Sequence, residues 1–123
     1  MSLILDAGAL LAIDRRDRAV IARLVAAHEA GEPVRTSTSV VAQVWRNGSR
    51  PATLARVLAG TEEVPLLSEQ AREIGRLLGT TRSSDVVDGA VAAIAQPGDE
   101  VLTSDPRDLQ ALVRGKHVRV TTL

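Results

Sequence analysis

Short apolar runs alternate along this chain with longer stretches in which apolar residues recur every three or four positions. Leu3-Ile4-Leu5 is unbroken and ends at Asp6, which predicts a buried strand over residues 2–5, followed by a helix over 7–13. Over residues 17–31, Val20, Ile21, Leu24, Val25 and Ala27 fall at helical spacing and Gly31 supplies a stop. Residues 33–37 are β-branched and predict a second strand. Ser39 is placed to cap a helix over 40–47, closed by Gly48, and residues 52–59 form another helical stretch before Gly60. A strand over 62–66, a helix over 68–79, a polar linker over 80–84 and a helix over 86–95 follow, the last closed by Gln96-Pro97-Gly98. A strand over 100–103, a helix over 106–114 and a strand over 118–122 complete the series. Strands separated by helical patterns predict an α/β fold of βαβ units around a parallel sheet covered on both faces. No repeat or linker interrupts the series, so residues 1–123 are expected to form a single domain.

Composition narrows the picture. Phe and Tyr are absent and Trp45 is the only aromatic residue, so the core must be built from the 18 Ala, 15 Val and 15 Leu together with Ile. A single ring cannot stack successive bases, which excludes recognition on an aromatic platform. Formal net charge is zero, unlike a broadly basic nucleic-acid coat, but 14 of the 15 cations are Arg and Lys116 is the only Lys. Arginine suits phosphate because its planar fork binds two oxygens at once. The absence of Cys excludes disulfides and thiolate zinc sites, and His28 and His117 are the only histidines. No apolar stretch approaches the ~20 residues that span a bilayer, which predicts a soluble cytoplasmic protein that does not enter membranes.

The acidic residues carry the candidate chemistry. Asp6 follows the first strand, and Asp105 follows Val101-Leu102-Thr103-Ser104 in the same way. Carboxyl ends of parallel strands line the ligand crevice of an open α/β sheet, above all where the strand order reverses. Asp88 falls in the first turn of the helix before the fourth strand, able to point into the same crevice. Convergent carboxylates repel one another and call for a counter-charge, and an all-oxygen site suits Mg²⁺ or Mn²⁺ better than Zn²⁺. Such a site can activate water and stabilise the leaving oxygen of a phosphodiester. Each aspartate has a second reading. Asp6, Asp85 and Asp105 stand where N-caps stand, with Asp88 and Asp108 at the third helical positions and Pro106 at the first.

Four segments together resemble the PIN domain family, and within it the VapC-type toxins of bacterial toxin–antitoxin pairs. They are Ile4-Leu5-Asp6-Ala7-Gly8-Ala9-Leu10-Leu11-Ala12, Val40-Val41-Ala42-Gln43-Val44-Trp45-Arg46, Asp85-Val86-Val87-Asp88-Gly89-Ala90 and Val101-Leu102-Thr103-Ser104-Asp105-Pro106-Arg107-Asp108-Leu109. The resemblance implies a three-layer α/β/α sandwich with a mostly parallel five-stranded sheet. It also implies a Mg²⁺- or Mn²⁺-dependent endoribonuclease, commonly a homodimer, inhibited by a small antitoxin protein. By position, Asp6, Asp88 and Asp105 match the family's metal-binding, catalytic acids. Asp85, Asp108 and Thr103 match accessory positions, with Ser104 a further match near the end of strand four.

Two positions depart from that pattern. Gln43 stands where the family usually has a second acid; an amide offers a neutral oxygen but no charge and no proton-accepting carboxylate. The expected consequence is weaker metal binding, or a site that leans on Asp85 or Asp108. Gly8 stands where the family often has Ser or Thr. An alternative reading is therefore a catalytically attenuated PIN-like domain that binds RNA or protein without cutting. A phosphotransfer domain fits less well: Asp6-Ala7-Gly8 lacks the Asp-x-Asp of a dehalogenase-type site, and the third strand ends in no phosphoacceptor. Arg46, Arg50, Arg82 and Arg107 lie near the motifs and are candidates to hold RNA phosphates or a carboxylate of the antitoxin. Trp45 is expected as a core or interface anchor, and His28 and His117 as surface residues.

Overall fold

A computed structural model describes residues 1–47 and 51–123. Five strands, β1 (Leu3–Leu5), β2 (Val34–Ser37), β3 (Glu62–Val64), β4 (Glu100–Thr103) and β5 (Arg119–Thr122), form one sheet in the order β3-β2-β1-β4-β5. Every neighbouring pair is parallel, so the fifth strand, too, runs with the rest. The centre of the sheet is its most apolar part. Leu3, Ile4, Leu5 and Val101 are fully buried, as strands covered on both faces demand. The edge strands differ: β3 opens on exposed Glu62 and Glu63, and β5 on exposed Arg119. Charges on an edge discourage pairing with another chain.

The helices are α1 (Ala7–Asp14), α2 (Arg18–Glu29), α3 (Thr38–Asn47), α4 (Pro51–Ala59), α5 (Ser68–Thr81), α6 (Val86–Ile94) and α7 (Pro106–Leu112). The chain runs from β1 to one edge through α1–α4, then crosses back through α5–α7 to the other edge. Right-handed crossovers therefore place the two helix groups on opposite faces, the three-layer arrangement. In agreement, α1 packs on α2, α3 and α4, while α5, α6 and α7 pack on one another. Order reverses between β1 and β4, which pair directly through Leu3–Glu100, Ile4–Val101 and Leu5–Leu102.

Several local details differ from the expected ones. Val25 is exposed, because the inward stripe of α2 is set by Val20 and Ala27, flanked by Ile21 and Leu24. Ser39 is inside α3 instead of capping it; Ser37 Oγ accepts from the Ser39 backbone N–H at 3.2 Å and takes that role. The stretch expected as a linker from residue 80 is helical through Thr81, and the chain leaves α5 at Arg82 in a left-handed conformation (φ 58°). Trp45 is half exposed on α3, so it anchors no core.

Two contacts fix α6, the helix that carries Asp88. Gly89 lets α5 approach: a Cβ there would lie 2.8 Å from Ile74 Cγ2 and 3.2 Å from Leu78 Cδ2. At the far end, Lys116 Nζ donates to the carbonyls of Ala92 (2.8 Å) and Ala95 (3.2 Å), and Arg35 Nη1 donates to that of Ile94 (3.2 Å). Cations there satisfy the last carbonyls and suit the negative end of the helix. No helix among the described residues is long and apolar enough to cross a membrane.

Candidate functional site

Asp6 leaves β1 at the point of strand reversal and is buried. Its Oδ1 accepts from the Ala9 N–H at 2.8 Å, capping α1. Burial raises the Asp6 carboxyl above its ordinary range, opposed by hydrogen bonds from the Thr103 hydroxyl and the backbone N–H groups of Ala9, Ser104 and Gly8. The Ala9 bond fixes one carboxylate oxygen, and the neighbouring donors favour the charged form. Thr103, fully buried at the end of β4, also accepts from the Asp105 N–H at 2.8 Å, tying the exits of β1 and β4 together. Gly8 fits this arrangement. A Cβ on it would lie 2.7 Å from Ser104 Cβ and 3.3 Å from Asp6 Oδ1, so Ser104 occupies the space that a larger residue 8 would need.

Asp85 and Asp105 stand at equivalent places, each immediately before a helix, and behave differently. Asp85 Oδ1 accepts from the Asp88 N–H at 3.0 Å and caps α6. The Asp105 side chain caps no backbone N–H of α7. Its carboxylate lies instead against those of Asp88 and Asp108, with one oxygen from each of the three within 4.8 Å of the others. The Asp88 carboxyl is pushed up to about 7, first by burial and then by the charges of Asp85, Asp105, Asp6 and Asp108. The Asp108 carboxyl is raised by the charge of Asp105 and a hydrogen bond to it, and is pulled down again by Arg107.

The sequence pointed to Asp6, Asp88 and Asp105 meeting in one crevice. All three face it, but the tight oxygen group is Asp88, Asp105 and Asp108, while Asp6 acts on Asp88 as a neighbouring charge and is itself engaged by donors. Asp105 and Asp108 are three residues apart in a first turn, a spacing that puts both on one side of a helix. Gln43 is exposed on α3, and among the described residues no hydrogen bond joins it to the carboxylates. Arg107 lies beside Asp108, Arg46 is exposed in the last turn of α3, and Arg50 lies outside the described residues. His28 and His117 are exposed.

Electrostatic magnitudes decide what this arrangement needs. Two like charges ~4 Å apart repel by roughly 4 kcal/mol at an effective dielectric near 20. A helix N-terminus such as that of α6 returns only about 0.3–1 kcal/mol to a carboxylate. The imbalance leaves two remedies for Asp88: hold a proton, or bind a cation. The donor set fits a hard divalent cation, since it offers oxygens only, spaced so that one ion about 2.0–2.6 Å from each can reach all three.

By sequence, no protein-family model matches the chain and no curated protein does. Solved structures do match over the full length. A chain of VapBC2 from Rickettsia felis, in a complex bound to a DNA fragment from its promoter, superposes with a TM-score of 0.73 at 13% identity, covering 100% of this chain and 99% of that one. A chain of DNA-bound VapBC from Salmonella typhimurium superposes with a TM-score of 0.63 at 14% identity, covering 99% and 98%. The chain shares the fold of these VapBC chains, an α/β arrangement around a five-stranded parallel sheet. At such low identity the likeness speaks for the fold alone, and the chemistry has to be argued from the carboxylates themselves.

Proposed function

We propose that this PIN-fold protein is a divalent-metal-dependent endoribonuclease, the toxin half of a toxin–antitoxin pair. The observation that carries the reading is Asp105, a residue in a cap position whose carboxylate abandons its helix to join Asp88 and Asp108. A structural aspartate gains by capping; this one adds to a repulsion that a bound cation relieves without protonating the group. Asp88, Asp105 and Asp108 would hold Mg²⁺ or Mn²⁺, with Asp6 and Asp85 adding negative charge around them. A cation bound there supplies charge to the phosphodiester and acidifies water.

The chain's own residues do the rest. Asp6, with one oxygen fixed by the Ala9 N–H, keeps its charge at a constant place in the crevice. Asp88, at the border of ionisation near neutral pH, gives up its proton when a cation arrives. Asp108 compensates for the amide of Gln43, providing a further negative oxygen where the helix after β2 brings none. An antitoxin partner follows from the same reading, by analogy with the VapBC complexes. So does a homodimer.

Incubation of purified protein with single-stranded RNA and Mg²⁺ tests the reading. Cleavage is expected, abolished by EDTA and by Asp88→Asn; cleavage that survives both overturns it. Gln43 favours a second reading, a PIN-fold protein that binds RNA or a partner with little cutting. In that case wild type is nearly inert and Gln43→Glu brings a large gain in Mg²⁺ affinity or cleavage.

A further inference from the structure

Beside the carboxylates lies a groove to which nothing above gives a task. One cavity of about 420 Å³ is walled by Arg82, Ser83 and Ser84 and reaches Asp85 and Asp108 of the acid group. A second, of about 470 Å³, is walled by Leu77, Thr80 and Arg114. The two share Thr81, Ala111 and Leu112, so they adjoin along a channel between the end of α5 and α7. Asp108 opens the channel, and Arg114, in the turn that follows α7, stands at its far end.

The arginines along this channel are uncommitted. Arg23 and Arg35 are engaged by Glu32, Glu100 and Glu62, whereas no carboxylate among the described residues pairs with Arg82 or Arg114. Both are exposed. Arg82 stands in the left-handed turn that ends α5, a place where glycine is the usual occupant. Leu77, Ala111 and Leu112 give the channel an apolar strip among polar Thr80, Thr81, Ser83 and Ser84, with no ring, so it can support a sugar without reading sequence.

We propose that this channel seats single-stranded RNA flanking the cleaved phosphodiester, with Arg82 and Arg114 each holding one backbone phosphate. The inference rests on the nuclease reading and adds the path of the substrate. Charge favours this occupant: Arg82 and Arg114 offer unpaired cations to phosphate, and the wall's two carboxylates, Asp85 and Asp108, belong to the acid group that a divalent cation would neutralise. Binding is then dominated by phosphate contacts, which makes it sequence-tolerant and salt-dependent.

Fluorescence anisotropy of a labelled single-stranded RNA oligomer in EDTA, where cleavage does not intrude, tests this across a salt series. Arg82→Ala and Arg114→Ala are each expected to weaken binding about five-fold, as for an exposed charge pair. Each is expected to lower the slope of log affinity against log salt by about 0.7. Arg56→Ala on α4, outside the channel, is expected to change neither. Thermal melts confirm that the variants fold. Wild type that fails to bind RNA, or unchanged affinity and slope in both variants, overturns the proposal and leaves the channel to a protein partner. A Mg²⁺ cleavage assay separates the two ideas. Cleavage with unaltered binding in the variants keeps the nuclease and removes the channel; the predicted binding losses without cleavage in wild type do the reverse.

Discussion

Acidic residues gather at both ends of the sheet, with opposite outcomes. At the end where the strands begin, Glu32 and Glu100 converge on Arg23, at 3.0 and 2.7 Å, and Thr121 Oγ1 donates to Glu100 at 2.6 Å. Burial would raise the Glu100 carboxyl, but the hydrogen bonds from Thr121 and Arg23 and the charges of Arg23 and Arg119 outweigh it and lower it. At the end where the strands finish, Asp6, Asp85, Asp88, Asp105 and Asp108 face one another, and burial and mutual charge raise the carboxyl of Asp88. The first group is complete as it stands and ties α2 to β4. The second is incomplete in the isolated chain. Acid count does not separate a brace from a binding site; what does is a protein cation bonded among the carboxylates, as Arg23 is, whereas Arg107 acts on Asp108 alone and leaves it raised.

The largest effect expected from breaking this contrast is on catalysis. Asp105→Asn should reduce RNA cleavage by on the order of a thousand-fold, comparable to removing one preorganised charge from an active site. Glu100→Gln should leave the rate near wild type, and a comparable loss there would dissolve the distinction. Next in size is the response to metal. Mg²⁺ at about a hundred times its dissociation constant should stabilise wild type by roughly 2.7 kcal/mol, seen as a rise in Tm. The same titration should leave the Tm of Asp88→Asn nearly unmoved.

Smaller is the cost of disturbing the brace. Glu100→Gln removes charge-assisted bonds from Arg23 and should destabilise the fold by about 1–2 kcal/mol in a urea melt, allowing for solvent screening. Asp105→Asn without metal should do the opposite and stabilise slightly, because it removes repulsion. Smallest is the drift with pH in EDTA. The Asp88 carboxyl moves from an ordinary 3.8 to about 7 on folding, so the folded chain binds its proton more tightly than the unfolded one. The stabilisation is complete below the ordinary value and is lost as pH rises through about 7. The metal-free Tm should therefore fall between pH 5 and pH 8, and Asp88→Asn should flatten that fall.

Much of this was legible from residue order alone. Leu3-Ile4-Leu5 before Asp6 and Val101-Leu102-Thr103 before Asp105 are apolar runs with an acid at the exit, and they became the central strand pair. The rivalry between cap and ligand was not resolvable that way, because Asp85 and Asp105 have the same local signature. What separates them is a side-chain orientation set by neighbours: Thr103 holds the Asp105 N–H, and α6 brings Asp88 alongside. Asp108 was visible only as an accessory for the same reason. The channel could not be read at all, since its walls come from α5 and α7, about 30 residues apart, and stretch 80–84 looked like a plain polar connection. Serines 37 and 39 show the local limit. Both are capping residues by type, and only the register of the first turn decides which one caps.

The single lysine has a consequence for how the molecule can be handled. Lys116 spends its ammonium group on the carbonyls that end α6, and Asp88 lies in the first turn of the same helix. Any reagent that acylates lysine, whether a crosslinker, a biotin ester or a surface coupling, finds one side-chain target. Reaction there strips donors from a helix whose other end faces the crevice. Labelled preparations of this kind would report a disturbed site while seeming to be tagged at the periphery. The chain contains no cysteine, so a thiol introduced at an exposed position such as Glu69 gives a handle that leaves α6 intact.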